Sequence, residues 1–407
     1  MVSRVNVPLS NLRAVVIIVV VAFHSVLPYL ASQPLTPFPF DTPPYRWIAF
    51  PILDHQRFFG FDLFCAFQDI SLMALMFLLA GLFTPASLAR KGSLAYVIDR
   101  WWRIGLPFCL AAAILAPLAY YASYRTTAAD PSFEAFRRHW LALPMWPEGP
   151  AWFLWQLFLI SALAALLHAF VPRMLEALGA IAGRLADRPL AFFAVLTTLS
   201  AIAYVPLAMI FSAWHWTFFG PFSFQLSRPV LYFLYFFTGI ALGSHGLDRG
   251  LMRSDGALAR HWLVLLTAAL ASFAVWGACT SLTLPDWNAS PFPARLAAAL
   301  AFPSACATGV LGLLAIALRF FRFRDRMFDS LSTNAYGIYL LHYPVVVWVQ
   351  YALLAVVLPA VAKGFIVLPV ALALSWVAST VLRALLSQLP HLREREQDAA
   401  AAPMKGR

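Results

Sequence analysis

The sequence predicts an all-α integral membrane protein with about ten transmembrane helices in one bundle and both termini in the cytoplasm. Of the 407 residues, 62% are hydrophobic and only 12% are charged, which leaves too little polar surface to coat soluble domains. At about 20 apolar residues per crossing, the chain has room for roughly ten helices. These observations exclude a soluble enzyme, a disordered chain, a collagen and a coiled coil.

Ten apolar runs, separated by Pro, Gly and Arg clusters, give the individual spans in chain order. Each run is about as long as a membrane crossing and carries few charges in its interior. The predicted spans are residues 12–30, 67–85, 104–123, 151–170, 190–211, 228–245, 261–281, 295–318, 331–354 and 363–386.

The basic residues predict the orientation of these spans. With a cytoplasmic N-terminus, 21 of the 29 Lys and Arg residues fall on the inner side and 8 on the outer side, so the net charge of +11 indicates topology and not a nucleic-acid partner. Residues 1–390 then form one transmembrane domain and 391–407 a charged cytoplasmic tail. Alternatively, Arg4, Arg13 and the first apolar stretch are a signal peptide ending near Ala31-Ser32.

Two histidines are the first candidate catalytic residues. His24 lies eleven residues past Arg13, about 16 Å along a helix, and His342 lies at a similar depth in the ninth span, so the two are expected in one layer near the bilayer midplane. Polar groups inside a membrane are usually functional, and a neutral imidazole is suited to general-base catalysis. The alternative is a histidine that only bonds two helices together.

Arg100 and Arg103 are the candidate anion-binding residues. Their i, i+3 spacing predicts a shared helix face just inside the membrane, where paired guanidinium groups suit the phosphates of a nucleotide-bearing donor. Ordinary positive-inside charge is the alternative explanation.

Further polar residues lie near the ends of the spans. Asp69 could orient a base or bind a sugar hydroxyl, or be solvated. Asn334 and Tyr339 precede His342, with Tyr339 on the same face, and Gly337 permits close helix approach. The four cysteines have no spacing typical of a metal site, so no metal is expected.

Five motifs resemble the integral-membrane acyltransferase-3 family. Arg13 and His24 match its Arg-x10-His signature, and Arg100 and Arg103 match its Arg-x-x-Arg motif. The other three are Phe77-Leu78-Leu79-Ala80-Gly81-Leu82-Phe83-Thr84-Pro85, Trp152-Phe153-Leu154-Trp155 and Tyr336-Gly337-Ile338-Tyr339-Leu340-Leu341-His342-Tyr343-Pro344. The last two are most similar to the branch containing glucans biosynthesis protein C.

The resemblance implies a bacterial inner-membrane enzyme that moves an acetyl or succinyl group from cytoplasmic acyl-CoA to a hydroxyl of a cell-envelope carbohydrate. It implies that His24 is catalytic and that Arg13, Arg100 and Arg103 serve acyl-CoA binding or the catalytic centre. Asp69, Trp152, Asn334, Tyr339 and His342 are then expected to bind or orient the acceptor. One departure is that Gln156 follows where many O-acetylating members carry an acid.

Two other functions fit the spans. A secondary transporter of a small anionic or sugar-like solute would also have midplane histidines, although no internal repeat is visible. A catalytically silent partner of membrane assembly or polysaccharide export would not need His24.

Overall fold

The structure, a computed structural model, describes residues 6–388 of the chain. This part is helical apart from connecting loops and one short hairpin, which confirms the predicted all-α membrane class. The predicted tail, residues 391–407, lies outside the described residues.

The helices of the first half begin with α1, whose N-terminus is capped by the side chain of Asn6. Two short π-helical turns, Trp101–Gly105 and Ala111–Leu115, interrupt the third apolar stretch. The helices are α1 (Val7–Val26), α2 (Phe59–Leu82), α3 (Thr84–Lys91), α4 (Ser93–Arg100), α5 (Leu106–Leu110), α6 (Ala116–Thr127), α7 (Phe133–Ala142) and α8 (Trp152–Phe170).

The second half contains the longest helices and the hairpin. Strands β1 (Trp216–Phe219) and β2 (Phe222–Gln225) pair antiparallel, with Trp216 opposite Gln225. The helices are α9 (Met174–Arg184), α10 (Pro189–Phe211), α11 (Pro229–His245), α12 (Ala257–Arg260), α13 (Trp262–Ser281), α14 (Phe292–Phe320), α15 (Arg326–Ala352) and α16 (Ala360–Ser387).

Among residues 6–388, 8 helical stretches are long and apolar enough to cross a membrane. They are Val7–Tyr29, Phe59–Lys91, Ser93–Thr127, Gly149–Phe170, Pro189–Phe211, Trp262–Ser281, Phe292–Phe320 and Ala360–Ser387. Helices α11 and α15 coincide with the two remaining predicted spans, and α11 has only 17 residues. The count of ten crossings and the cytoplasmic termini stay predictions.

Helices α1 and α15 run parallel. The hydroxyls of Ser10 and Ser332 are 2.9 Å apart near the start of both helices, and Gln350 Nε2 donates to the carbonyl of His24 at 2.7 Å near their ends. This direction agrees with the prediction that the first and ninth spans cross the same way. The pair brings the two predicted histidines to one level.

Helices α2 and α11 are also parallel, and glycines let their backbones touch. A Cβ atom on Gly81 would collide with the carbonyl of Phe236, and one on Gly243 would collide with the carbonyl of Leu82. Small residues at such positions permit the close packing on which helix association in lipid depends.

Residues 31–66 and 124–150 are the two longer loops on the predicted outer side. An aromatic cap, formed by Phe40, Trp47, Tyr120, Phe136 and Trp140, joins them. Phe40 stacks on Trp47 with ring centroids 4.2 Å apart, and Trp47 meets Tyr120 edge to face at 5.2 Å. These loops therefore fold back onto α6 and the end of α15.

A buried ion pair holds the first of these loops. Lys363 Nζ lies 2.6 Å from Asp54 Oδ2, and both side chains are almost completely excluded from solvent. Arg57 adds a bond of 2.7 Å to the carbonyl of Pro28. The segment between α1 and α2 is thus fixed to α16 and to the end of α1.

Candidate active site

His24 and His342 meet in the interior. His342 Nε2 lies 3.2 Å from His24 Nδ1, and the ring centroids are 5.0 Å apart. His342 is 0% exposed, whereas His24 is half-buried. The prediction that these two residues share one layer is confirmed.

The position of His24 along α1 differs from a midplane position. His24 lies in the last turn of α1, which ends at Val26, so it is closer to the end of the helix than to its middle. At 1.5 Å per residue it lies about 16 Å from Arg13 along the helix.

The hydrogen bonds assign the tautomer of each neutral ring. His342 Nδ1 lies 2.6 Å from the carbonyl of Tyr339, which only accepts, so Nδ1 carries the hydrogen and Nε2 is an acceptor. His24 Nδ1 is 2.9 Å from the carbonyl of Val20 and 3.2 Å from this His342 Nε2, two acceptors, so it carries the hydrogen too. His24 Nε2 is left with the lone pair that a general base needs.

Gln350 fixes the backbone of His24. The carbonyl of His24 would ordinarily accept from the N–H four residues later, but residue 28 is a proline and has none. The buried side chain of Gln350 supplies that donor at 2.7 Å and also reaches the carbonyl of Ser25 at 3.2 Å. The end of α1 is therefore held in place from α15.

Tyrosines extend the site from the histidines toward the aromatic cap. The ring of Tyr343 packs edge-on against His24 with centroids 5.5 Å apart, and its hydroxyl donates to Tyr120 at 3.3 Å. Tyr120 in turn donates to the carbonyl of Ile48 at 2.7 Å. Tyr339, whose carbonyl holds His342, donates its hydroxyl to the carbonyl of Pro150.

Glu148 is a buried acid that sequence reasoning missed. Both donors of Ser223, its N–H at 3.0 Å and its hydroxyl, bind one oxygen, Oε1, while Oε2 is buried without a partner. Burial raises the pKa of the Glu148 carboxyl to about 7. A single Glu in a proline-rich loop gives no sign of burial, because its partner lies 75 residues away in β2.

Glu148 lines a small cavity next to the histidines. The cavity has a volume of about 20 Å³ and is walled by Glu148, Pro150, Tyr339, Tyr343 and apolar residues around them. Two of its walls, Tyr339 and Tyr343, are also the neighbours of His342 and His24.

Trp152 lies just beyond this cavity. Its ring stacks on Tyr232 at 5.9 Å and meets Trp216 of the hairpin edge to face at 5.7 Å. The next residue, Phe153, contacts Tyr339 at 5.9 Å. The structure thus brings the Trp152 segment to Tyr339, one residue removed from the histidine pair.

The candidate donor-binding arginines surround Asp99. Arg103 Nε lies 2.9 Å from Asp99 Oδ1 and Lys91 Nζ lies 2.8 Å from Asp99 Oδ2, while the Arg100 guanidinium lies 4.8 Å from the centre of the Tyr96 ring. Arg103 sits in the π-helical turn, which widens the angle between it and Arg100 relative to an α-helix. The two charges nevertheless stay in one basic cluster.

Arg13 is exposed and lies on the same face of α1 as His24, because eleven residues are close to three full turns. Within residues 6–388 it makes no ion pair with Asp99, the carboxylate that binds Arg103 and Lys91. The structure therefore links Arg13 to His24 by helix face and not to the Asp99 cluster by contact.

Asp69 and Asn334 are engaged elsewhere. Asp69 makes a two-pronged ion pair with Arg228, whose guanidinium is buried against Phe302. Asn334 accepts from Ser379 of α16 at 2.9 Å. The structure does not bring these two predicted acceptor-binding residues to the histidine pair.

Gly337 behaves as predicted, since a Cβ there would collide with Ser379. The part of the chain that the structure describes contains no group of three or more His, Cys, Asp or Glu suited to a metal ion.

Most of the chain matches the model of a known family. The family model of the acyltransferase-3 group, described as an acyltransferase domain, matches residues 7–380. No curated protein and no solved structure matches the chain.

Proposed function

The chain belongs to the acyltransferase-3 family, and is therefore a membrane acyltransferase; we propose that it moves an acetyl or succinyl group from cytoplasmic acyl-CoA to a hydroxyl of an extracytoplasmic glycan or related acceptor. We place it in the bacterial inner membrane with both termini cytoplasmic. The glucans biosynthesis protein C-like branch is the proposed subgroup.

The observation that carries the proposal is the hydrogen-bonding of His24. Its Nδ1–H is engaged by Val20 and His342, so Nε2 keeps a lone pair on a ring that cannot rotate freely. A positioned imidazole of this kind contributes roughly 10²–10⁴-fold to proton-transfer catalysis.

The reaction that we propose is a direct acyl transfer, with a covalent acyl-His intermediate as the alternative. His24 Nε2 takes the proton of the acceptor hydroxyl as its oxygen attacks the thioester carbonyl. The C–O bond forms, the C–S bond breaks, and the CoA thiolate leaves and takes up the proton from the imidazolium. The products are an ester and free CoA thiol.

We propose that the donor binds at the basic residues around Asp99, which are Lys91, Arg100 and Arg103. Arg100 and Arg103 offer guanidinium groups to the phosphates of CoA, and Arg13, on the His24 face of α1, guides the thioester toward the histidine. Binding a phosphate requires Arg103 to exchange its contact with Asp99, which costs little because the Arg103 side chain is 72% exposed.

The acceptor side uses the residues between the histidines and the aromatic cap. Tyr339 and His342 orient the acceptor and the imidazole, and Trp152 provides an aromatic surface for a sugar ring near the hairpin. Asp69 and Asn334 support this side through helix packing.

The test replaces His24 by Ala in the full-length protein and measures CoA thiol release with acetyl-CoA or succinyl-CoA and a glucan oligosaccharide. The matched control is His261→Ala, because His261 bonds to the carbonyl four residues before it at 2.8 Å, as His24 does, but is exposed. We expect a loss of at least a hundred-fold for His24→Ala and wild-type activity for the control.

Undiminished thiol release by a properly inserted His24→Ala protein contradicts the proposal. A protein that takes up a sugar-like solute into vesicles and releases no thiol from acyl-CoA is instead a transporter.

A further inference from the structure

The unpaired oxygen of Glu148 points to a specific binding subsite. Resting on the proposed function, we propose that Glu148 and the cavity beside it bind a second hydroxyl of the acceptor, so that the protein selects polyols such as carbohydrates over monohydric alcohols. The subsite is an additional contact and takes no part in bond making.

The cavity has the size of one hydroxyl group. A site that holds one water molecule needs at least about 10–15 Å³, and this cavity measures about 20 Å³. It is too small for a sugar ring or an acyl chain. A single water molecule, or a single hydroxyl that reaches in from a larger ligand and displaces it, therefore fits the cavity.

The cavity is lined by Glu148, whose Oε2 is an unused hydrogen-bond acceptor. Glu148 is only 3% exposed, its Oε1 already receives both donors of Ser223, and its Oε2 has no partner. A buried oxygen without a partner carries a free-energy cost of roughly 1–3 kcal/mol. A hydroxyl that donates to Oε2 removes this cost, whereas an apolar group in the cavity does not.

The backbone places Glu148 there through a turn that requires glycine. Gly149 has a φ of +58°, a left-handed conformation that other residues rarely adopt, and a Cβ on it would lie 2.9 Å from the Tyr343 ring. The backbone next to Glu148 thus lies against the same tyrosine that packs on His24.

The neighbourhood connects the subsite to the reacting centre. Tyr343 separates the cavity from His24, and Tyr339 separates it from His342. A carbohydrate carries hydroxyls at several positions around its ring, so one hydroxyl can face His24 Nε2 while another, on the far side of the ring, donates to Glu148. A monohydric alcohol can satisfy only one of these two positions.

The test compares Glu148→Gln with the wild type, using a glucan oligosaccharide and hexan-1-ol as acceptors. Glu134→Gln, which removes an exposed carboxylate on α7, is the matched control. At about pH 8, where the Glu148 carboxyl is ionised, we expect the KM for the oligosaccharide to rise about ten-fold in Glu148→Gln, as loss of one hydrogen bond to a charged group predicts. The KM values for hexan-1-ol and for acyl-CoA are expected to stay within two-fold of the wild-type values. The KM of Glu148→Asp for the oligosaccharide is expected to lie between those of the wild type and Glu148→Gln.

Tryptophan fluorescence titration with the oligosaccharide alone gives a readout that does not depend on acyl transfer. A ten-fold weaker Kd in Glu148→Gln supports the subsite, and equal Kd values overturn it. If the wild type binds the oligosaccharide but releases no thiol with any acceptor, the proposed function fails while the titration still decides the subsite. If Glu148→Gln raises the KM for the oligosaccharide and for hexan-1-ol by the same factor, Glu148 has a structural role and the proposal is overturned.

Discussion

Gln350 donates a hydrogen bond to the carbonyl of His24, the carbonyl that Pro28 leaves without its helical partner. The bond ties the end of α1 to α15 about two turns along α15 from His342. His24, the proposed general base, is therefore held both through its backbone carbonyl and through its ring Nδ1.

Replacing Gln350 by Leu is therefore expected to reduce both stability and activity. Two buried carbonyls lose their donor, at a cost of roughly 1–3 kcal/mol each before the helix relaxes. Thermal unfolding in detergent and thiol release measure the two effects. Gln388→Leu, at the end of α16, serves as the control. An unchanged melting temperature for Gln350→Leu would contradict the role of Gln350 in holding the end of α1.

His342 is expected to act through His24. In His342→Phe the Nδ1–H of His24 loses one of its two acceptors, which predicts a kcat about ten-fold lower, equivalent to about 1.4 kcal/mol. The KM for acyl-CoA should not change. His342→Gln offers a side-chain oxygen to the same N–H and should recover part of kcat, and failure of this rescue would favour a purely structural histidine.

Arg100 and Arg103 should affect the donor and not the acceptor. We expect Arg100→Gln to raise the KM for acyl-CoA about ten-fold, since it removes a charge-assisted bond to phosphate. Arg253→Gln is a suitable control because Arg253 pairs with Asp255 on the surface at another basic loop. If Arg100→Gln changed only the KM for the acceptor, acyl-CoA would bind at a site other than Arg100.

Asp69→Asn is expected to destabilise the protein instead of changing its specificity. The Arg228 side chain is 3% exposed, so loss of the carboxylate leaves a buried charge unpaired, which costs roughly 3–5 kcal/mol. The double replacement Asp69→Leu with Arg228→Met removes both charges and should recover much of the loss. The melting temperatures of the single and double variants measure this role in stability. An unchanged melting temperature for Asp69→Asn, together with a raised KM for the acceptor, would instead indicate a role in sugar binding.

Glu148 predicts a pH dependence of stability. Burial raises the pKa of this carboxyl from 4.5 to about 7, so the folded state binds a proton that the unfolded state releases. Stability contributed by the neutral form is present below pH 4.5 and declines as the pH rises to about 7, by roughly 3 kcal/mol in all. Glu148→Gln should flatten this part of the profile, and parallel profiles for both proteins would show that Glu148 does not titrate there.

The helical class and the histidine pair could be predicted from the sequence because both follow from simple periodicity. Apolar runs give the spans, and the depth of a residue follows from its distance to the basic end of its helix. His24 and His342 have similar depths in two spans of the same direction, which predicted their shared layer, whereas the contact between the two rings came from the structure.

Other parts of the site could not be predicted because their partners are remote in the chain. Glu148 meets Ser223 through a hairpin, and Asp69 meets Arg228 across two parallel helices, so neither environment has a local signature. The π-helical turn at Arg103 was also missed, since i, i+3 spacing assumes an α-helix. Pro28 did carry a usable signal, because a proline four residues after His24 leaves the His24 carbonyl without its helical N–H donor.

Helices α1 and α15 are bonded near both ends, by Ser10 with Ser332 and by His24 with Gln350. Sliding one along the other by even a third of a turn would break all of these bonds together. Any rearrangement that admits substrates must therefore move α1 and α15 together as one rigid unit. The hinge of such a movement lies among the elements around these two helices.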